Sequence, residues 1–314
     1  MNNIEALDII SRLENTINEH FKIEEEVLQL VLSSWLSGGH ILLNDDVGTG
    51  KTTLSKILSS CVDAKFKRIQ FTSDLMPADL SGINIFDPNL KKWVFHPGPL
   101  FSNLVLADEI NRAPPKSQTA MLEAMAERQV TIDGETRKLD ESFMIIATQN
   151  PGDHLGTFKL PEALNDRFTI SLSLGKVSEK EELDIMLGRY EFNGIAPVIN
   201  LEKFHELQKY INNLPIHDDV ASYALRIIRY TRTMSSLKSG VSIRAGQAFV
   251  RCAKALAMIK KRDKVLPDDI HDLIPFVLTH RLQIDEESIY QGMTSENIIN
   301  TIKENVPSTA SAIK

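Results

Sequence analysis

Short β-rich apolar runs alternate with helical patterns over the first 175 residues of the chain. Each run is bounded by polar residues and is followed by a stretch with helical periodicity. Strands and helices that alternate in this way are typical of a parallel sheet covered by helices on both faces. The predicted strands cover residues 41–43, 66–71, 104–107, 143–148 and 168–174.

Beyond residue 175 the pattern is helical almost throughout. Apolar residues recur at helical spacing, and several helices begin with acidic and end with basic residues, which complements the helix dipole. We therefore expect an α/β domain with an N-terminal helix over residues 1–175, an all-helical domain over 176–286 and a C-terminal tail over 287–314. The predicted helices of the second domain cover residues 178–190, 201–213, 218–233, 243–262 and 267–279.

Composition narrows the class of protein further. The 314 residues carry a formal net charge of −7 and 42% apolar residues, and Cys61 and Cys252 show no metal-ligand spacing. The N-terminus does not read as a signal peptide, and the apolar runs are too short to insert into a membrane. We expect a cytoplasmic protein of about two domains, for which nucleic-acid binding is disfavoured by the acidic balance.

The link between the first predicted strand and the next helical run resembles a phosphate-binding P-loop. Glycines allow successive backbone N–H groups to turn towards a phosphate, and a helix N-terminus adds its dipole. Lys51 would reach the β- and γ-phosphates of ATP, and the Thr52 hydroxyl would bind Mg²⁺. The alternative is a capped helix after a glycine turn. The predicted nucleotide-binding residues are Asp45, Asp46, Val47, Gly48, Thr49, Gly50, Lys51, Thr52 and Thr53.

The P-loop departs from the strict GxxxxGK[ST] pattern at its first position. Asp45 stands where that pattern has glycine, and Asp46 adds a second carboxylate beside it. Asp tolerates a left-handed backbone, so the turn can form. Two carboxylates would repel a triphosphate unless they point away from it or are neutralised, so weakened nucleotide affinity is expected.

Two further predicted strands deliver polar residues to the same edge of the sheet. Asp108 and Glu109 end the run 104–107, and we expect Asp108 to hold Mg²⁺ and Glu109 to polarise the attacking water. Asn150 follows the run 143–148 and could orient that water. On their own, the acid pair could belong to a loop and Asn150 to a simple turn.

Several segments together resemble the MoxR group of the AAA+ ATPases. A long match covers about residues 70–170, and shorter matches follow in the helical part of the chain. The segments are GPLF (98–101), LADEINRAPPK (106–116), MLEAM (121–125), ERQVT (127–131), ATQNP (147–151), LPEALNDRF (160–168), GVSIRA (240–245) and HRL (280–282).

This resemblance implies a five-stranded AAA+ core, a helical lid and a ring oligomer, commonly a hexamer. It also implies additional hairpins, including one that interrupts the second helix within residues 72–101. Asn150 takes the sensor-1 role, Arg167 becomes the finger that reaches a neighbour's γ-phosphate, and Arg244 becomes a cis contact from the lid. From the residues alone, Arg167 and Arg244 could instead form ordinary salt bridges, and Arg112 is the substitute finger.

The resemblance implies a chaperone-like ATPase that assembles or activates a protein client. Such clients are often metal-cofactor enzymes, and von Willebrand factor A domain proteins are frequent partners of the group. Asp45 and Asp46, together with Ile23 where a glycine is usual, predict slow turnover. A nucleotide-binding scaffold with weak or no turnover is the alternative, and a nucleic-acid motor is a minor one.

Overall fold

The computed structural model describes residues 1–45, 48–150, 156–175, 179–188 and 194–308. Within this part of the chain, the strands are β1 (Ile41–Asn44), β2 (Phe66–Gln70), β3 (Gly82–Asp87), β4 (Lys92–Pro97), β5 (Leu104–Asp108), β6 (Gln129–Ile132), β7 (Glu135–Lys138), β8 (Met144–Gln149), β9 (Ile170–Leu172), β10 (Leu237–Ser239) and β11 (Gln283–Ile284). The helices are α1 (Asn3–His20), α2 (Glu25–Leu36), α3 (Lys51–Cys61), α4 (Pro77–Ser81), α5 (Pro115–Glu127), α6 (Glu162–Asn165), α7 (Glu179–Met186), α8 (Leu201–Asn212), α9 (Asp218–Thr231), α10 (Ile243–Ile259), α11 (Pro267–Leu278), α12 (Glu286–Tyr290) and α13 (Ser295–Asn305).

The central sheet has five parallel strands in the order β2-β5-β8-β1-β9. All five coincide with the strands predicted from the apolar runs, so the predicted fold class is confirmed. Parallel strands place their carboxyl ends at one edge and their amino ends at the other. The residues that follow β1, β5 and β8 therefore share one edge of the sheet.

Helices cover both faces of this sheet because the side chains of each strand alternate between the faces. On β5, Leu104 and Leu106 pack into the apolar cluster that also contains α1, α2, α3 and the lid helices. Val105 and Ala107 pack into the opposite cluster with α4 and α5. The first cluster continues from the sheet into the helical part of the chain, so the two parts share one core.

Two antiparallel hairpins extend from the α/β part. The strands β3 and β4 form one directly after the short helix α4, within the segment 72–101 where the resemblance implies a hairpin. The strands β6 and β7 form the other, between α5 and β8. None of the helices in the described ranges is long and apolar enough to cross a membrane.

The C-terminal segment differs from the tail expected over residues 287–314. The helix α13 lies within it and buries Ile298, Ile299 and Ile302 against the other lid helices. Their spacing places all three on one side of a helix and forms an apolar stripe. This stripe is the sequence signal for a packed helix in the segment expected to be a tail. In the lid, the predicted helix 178–190 is observed as α7, while residues 176–178 and 189–193 lie outside the described residues.

Candidate active site

The loop after β1 leads directly into the amino end of α3. Gly48 and Gly50 adopt left-handed backbone conformations with φ of 96° and 82°, and a Cβ at Gly50 would lie 2.6 Å from the Phe21 ring. Gly50 is the N-cap of α3 and has no side chain to occupy the first N–H groups of the helix. Lys51 Nζ donates to the main-chain oxygen of Asp45 at 2.8 Å. Asp46 and Val47 lie outside the described residues.

The Asp45 carboxylate is engaged by the end of the neighbouring strand. It is only 5% exposed and accepts hydrogen bonds from the Ser173 hydroxyl and from the Leu174 N–H, the latter at 2.9 Å. Both donors follow β9, which pairs with β1. The Asp45 carboxylate is therefore held by hydrogen-bond donors of the chain itself. A carboxylate held in this way is not free to turn towards a bound phosphate.

Asp108 and Glu109 lie where β5 ends, and Thr148 of β8 holds them together. The Thr148 hydroxyl donates to Asp108 Oδ1 at 2.7 Å and accepts from the Glu109 N–H at 2.8 Å. Glu109 has a left-handed backbone with φ of 55°. This conformation is uncommon for a non-glycine residue and ends the strand directly after Asp108.

Two residues of β2 also bind these acids. Arg68 donates to Asp108 Oδ2 from Nη2 at 2.6 Å and from Nε at 3.1 Å. Gln70 Nε2 donates to Glu109 Oε2 at 2.9 Å, and Arg112 Nε lies at the same distance from that oxygen. Neither Arg68 nor Gln70 is among the site residues predicted from the sequence. The sequence feature that could have indicated them is a pair of polar residues at alternate positions near the end of a strand.

The P-loop and the polar ends of β2, β5 and β8 surround one cavity of about 320 Å³. Thr52 and Asp108 offer a hydroxyl and a carboxylate, and Mg²⁺ is commonly held by one or two protein oxygens together with phosphate oxygens. In the described residues, no group of three or more His, Cys, Asp or Glu is arranged so that it could hold a metal ion by itself. The donor set fits Mg²⁺ with a nucleotide. The lining residues are Asp45, Gly48, Gly50, Lys51, Thr52, Arg68, Gln70, Asp108, Glu109, Thr148 and Asn150.

A second cavity, of about 490 Å³, lies at the opposite edge of the sheet. His40 and Thr169, which line it, directly precede β1 and β9, so it faces the amino ends of these strands. Asp166 and Glu127 are its acidic residues within the described part of the chain. We call it the arginine cavity after Arg128, Arg167, Arg244, Arg251 and Arg281.

Asp166 joins the lid to the segment before β9. Its carboxylate accepts from the Ser242 hydroxyl at 2.8 Å, from Arg244 Nη1 at 3.2 Å and from Arg281 Nε at 3.2 Å. Arg281 is almost completely buried, with 4% of its side chain exposed, and also donates to the main-chain oxygens of Asp166 and Thr169. Ion pairs of Asp166 with Arg244 and with the buried Arg281 therefore join the lid to the core, in addition to the apolar core that the two parts share.

The arginines of the arginine cavity other than Arg281 repel one another in two pairs, Arg167 with Arg244 and Arg128 with Arg251. Burial lowers the pKa of Arg167, and the nearby charge of Arg244 lowers it further. Burial likewise lowers the pKa of Arg128, with Arg251 as the next cause. Among the described residues, Arg167 Nε is buried without a hydrogen-bond partner. The cavity therefore holds more positive charge than its own acids neutralise.

Comparison with known proteins identifies the family. Residues 40–170 match the ATPase family associated with various cellular activities (AAA), and residues 229–302 match the AAA lid domain. YeaC of Bacillus subtilis is 40% identical over 303 residues, with 95% of each chain covered. The chaperone MoxR1 of Mycobacterium tuberculosis is 35% identical over 314 residues, covering 95% of this chain and 82% of that one. The chain belongs to the MoxR family of AAA+ ATPases.

A solved structure supports the same assignment. A crystal structure of a protein from Cytophaga hutchinsonii superposes with a TM-score of 0.88 at 33% identity and covers 97% of this chain and 96% of that one. The AAA+ architecture therefore extends over both the core and the lid of this MoxR-family chain.

Within this MoxR-family chain, the predicted site residues divide between the two cavities. Lys51, Thr52, Asp108, Glu109 and Asn150 line the cavity behind the P-loop. The two predicted arginines do not belong to this group.

The position of Arg244 corrects the expectation of a cis contact. Arg244 lies beside Arg167 in the arginine cavity and pairs with Asp166. The lid packs its helix α10 against α2, which brings the start of α10 to the amino edge of the sheet. This side chain therefore does not line the P-loop cavity of its own chain.

His40 lines the arginine cavity as a buried, neutral side chain. The Ile145 N–H donates to His40 Nδ1 at 3.0 Å, so Nε2 carries the proton and donates to the Met125 carbonyl at 3.3 Å. Burial lowers the pKa of His40 to about 3, and the nearby arginines act in the same direction. A neutral histidine here avoids one more positive charge in a cavity that already has several.

Proposed function

We propose that this chain hydrolyses ATP with Mg²⁺ and couples hydrolysis in a ring oligomer to the remodelling of a protein client. The observation that carries the proposal is the single cavity shared by Lys51, Thr52, Asp108, Glu109 and Asn150. A P-loop, an acid pair and an amide at the carboxyl edge of a parallel sheet are the parts that phosphoryl transfer from ATP requires.

Each residue has a separate task in this proposal. Lys51 and the first N–H groups of α3 bind the phosphates, while Thr52 and Asp108 hold Mg²⁺, which neutralises charge on those phosphates. Glu109 accepts a proton from the attacking water, and Asn150 orients that water. Thr148 binds both acids and sets the position of Glu109 relative to Asp108.

The arginine cavity supplies the second half of each active site. Arg167 and Arg244 lie at the amino edge of the sheet, so in a closed ring they would face the carboxyl edge of the next subunit. Guanidinium groups there would stabilise charge on the transferred phosphoryl group. Arg112 remains the alternative finger, but it binds Glu109 of its own chain, which favours Arg167.

The scaffold alternative depends on repulsion between the P-loop carboxylates and a triphosphate. The Asp45 carboxylate is held by donors from Ser173 and Leu174 and is not free to turn towards the phosphates, and for this reason we favour hydrolysis. A hexameric ring, a metal-cofactor enzyme as client and a von Willebrand factor A domain partner follow from the family resemblance. The name of the chaperone MoxR1 supports a client-directed role.

Steady-state ATP hydrolysis by the wild type and by Glu109→Gln tests the proposal. The variant should lose at least about 100-fold in kcat while its nucleotide affinity changes little, because only proton acceptance is removed. Glu202→Gln makes the same change on the exposed side of α8 and should behave as the wild type. Wild-type activity should rise with protein concentration as rings form, which light scattering can follow. Equal inactivity of wild type and Glu109→Gln, with nucleotide binding retained, would favour the scaffold.

A further inference from the structure

The edge strand β2 presents two polar side chains to the acids at the end of β5. The strands run parallel, with Arg68 beside Leu106 and Gln70 beside Asp108. Alternate residues of a strand point to the same face of a sheet. Arg68 and Gln70 therefore share a face and can reach Asp108 and Glu109 respectively.

Arg68 binds Asp108, the carboxylate that would hold Mg²⁺ in the proposed function. Asp108 Oδ2 accepts two N–H groups of Arg68, and Oδ1 accepts the Thr148 hydroxyl at 2.7 Å. Both oxygens of this carboxylate are thus engaged within the protein. The Asp108 side chain is 14% exposed and that of Arg68 is 50% exposed, so the arginine can swing into solvent while the acid stays in place.

A guanidinium and a divalent cation cannot share this carboxylate without strong repulsion. Arginine does not lose its proton in proteins, so its charge can leave Asp108 only by movement of the side chain. We propose that Arg68 is a positioning residue that competes with Mg²⁺ for Asp108 and is released when the carboxylate binds the metal. This inference rests on the proposed function, which places Mg²⁺ at Asp108.

Release of Arg68 also affects Glu109, because Gln70 contacts both residues. Arg68 Nη2 donates to Gln70 Oε1 at 3.0 Å, and this bond fixes the Gln70 amide so that Nε2 faces Glu109. Once Arg68 leaves, the Gln70 amide is no longer fixed and its hold on Glu109 weakens. The position of Arg68 thereby couples the metal-binding acid to the water-activating acid.

The test measures the Mg²⁺ dependence of nucleotide binding rather than hydrolysis. A fluorescent ADP analogue is titrated onto the full-length protein at a series of Mg²⁺ concentrations, for the wild type, Arg68→Gln, Arg68→Lys and Lys67→Gln. Lys67 is the neighbouring exposed cation on β2, on the opposite face, so Lys67→Gln removes the same charge without touching Asp108.

Arg68→Gln should lower the half-saturating Mg²⁺ concentration about five-fold, since a partly exposed charge pair contributes up to about that factor. Lys67→Gln should match the wild type, and Arg68→Lys should fall between the two because it keeps the charge but loses the two-pronged contact. An unchanged or higher Mg²⁺ requirement in Arg68→Gln, with nucleotide binding intact, would overturn this inference alone. Absence of nucleotide binding by the wild type at every Mg²⁺ concentration would overturn the proposed function and this inference together.

Discussion

The two cavities of this chain lie at opposite edges of one sheet and differ in how their charged side chains are partnered. In the cavity behind the P-loop, each acid has a donor: Asp45 from Ser173, Asp108 from Arg68, and Glu109 from Gln70 and Arg112.

The arginine cavity has fewer acids than arginines. Its five arginines face Asp166 and Glu127 as the acidic groups within the described residues. Like charges in a partly buried cavity raise its free energy unless an anion arrives from outside the chain.

This difference supports our proposal that each cavity forms half of a site between subunits. The P-loop cavity has the groups to bind a triphosphate and activate water, whereas the arginine cavity has excess cationic charge and no P-loop. A ring that stacks the amino edge of one subunit on the carboxyl edge of the next would join the two halves.

The largest effect on stability should come from the ion pair beneath the arginine cavity. Asp166→Ala leaves Arg281 buried without its acid, and breaking one partner of a buried pair costs about 3–5 kcal/mol. Urea denaturation gives the free energy of unfolding. Asp263→Ala, at an exposed position, should cost less than about 0.5 kcal/mol. Similar losses in the two variants would show that Asp166 does not hold the lid to the core.

The next effect should appear as a dependence of stability on pH. His40 has a pKa of about 3 in the folded chain against an ordinary value of 6.5. Between these values the unfolded chain binds a proton that the folded chain does not, so stability falls as the pH drops below 6.5, by up to about 1.4 kcal/mol per unit. His280, whose pKa burial also lowers, acts in the same direction.

The variant His40→Asn keeps an acceptor for Ile145 but does not titrate. Its free energy of unfolding should therefore depend less on pH between 6.5 and 4 than that of the wild type, as followed by urea denaturation at several pH values. His96→Asn, on the exposed hairpin strand β4, is the matched control. If the wild type and His40→Asn have the same pH dependence, His40 is not a buried neutral group.

The smallest effect should come from the P-loop acid. Asp45→Gly should leave ATP affinity within about two-fold, because the carboxylate is already bound by Ser173 and Leu174. It should cost about 1 kcal/mol of stability, since the Leu174 N–H loses its acceptor. Nucleotide titration and urea denaturation measure the two quantities. A ten-fold rise in ATP affinity would instead show that the carboxylate opposes the phosphates.

Much of this architecture could be predicted from local sequence. The apolar runs predict all five strands of the sheet because each is buried and bounded by polar residues. The parallel arrangement then brings the P-loop, Asp108 and Asn150 to one edge. These features depend on short segments and on a general property of parallel sheets.

The remainder depends on how distant segments meet. The contact of Arg68 with Asp108 follows from the register of β2 on β5, and the contact of Asp166 with Arg281 joins residues 115 positions apart. No local pattern encodes either register or lid placement. The same limit explains Arg244, whose location is set by the packing of α10 on α2.

Mixing two inactive variants tests most directly whether the two cavities form one active site between subunits. Glu109→Gln retains the arginine cavity, and Arg167→Ala retains the acids of the P-loop cavity. Each alone should be nearly inactive, with Arg167→Ala reduced about 1000-fold in kcat. In an equal mixture at ring-forming concentration, about one quarter of the interfaces pair an intact Glu109 with an intact Arg167, so ATP hydrolysis should reappear at a comparable fraction of the wild-type rate. A mixture that forms rings yet hydrolyses ATP no faster than the separate variants would contradict the shared site.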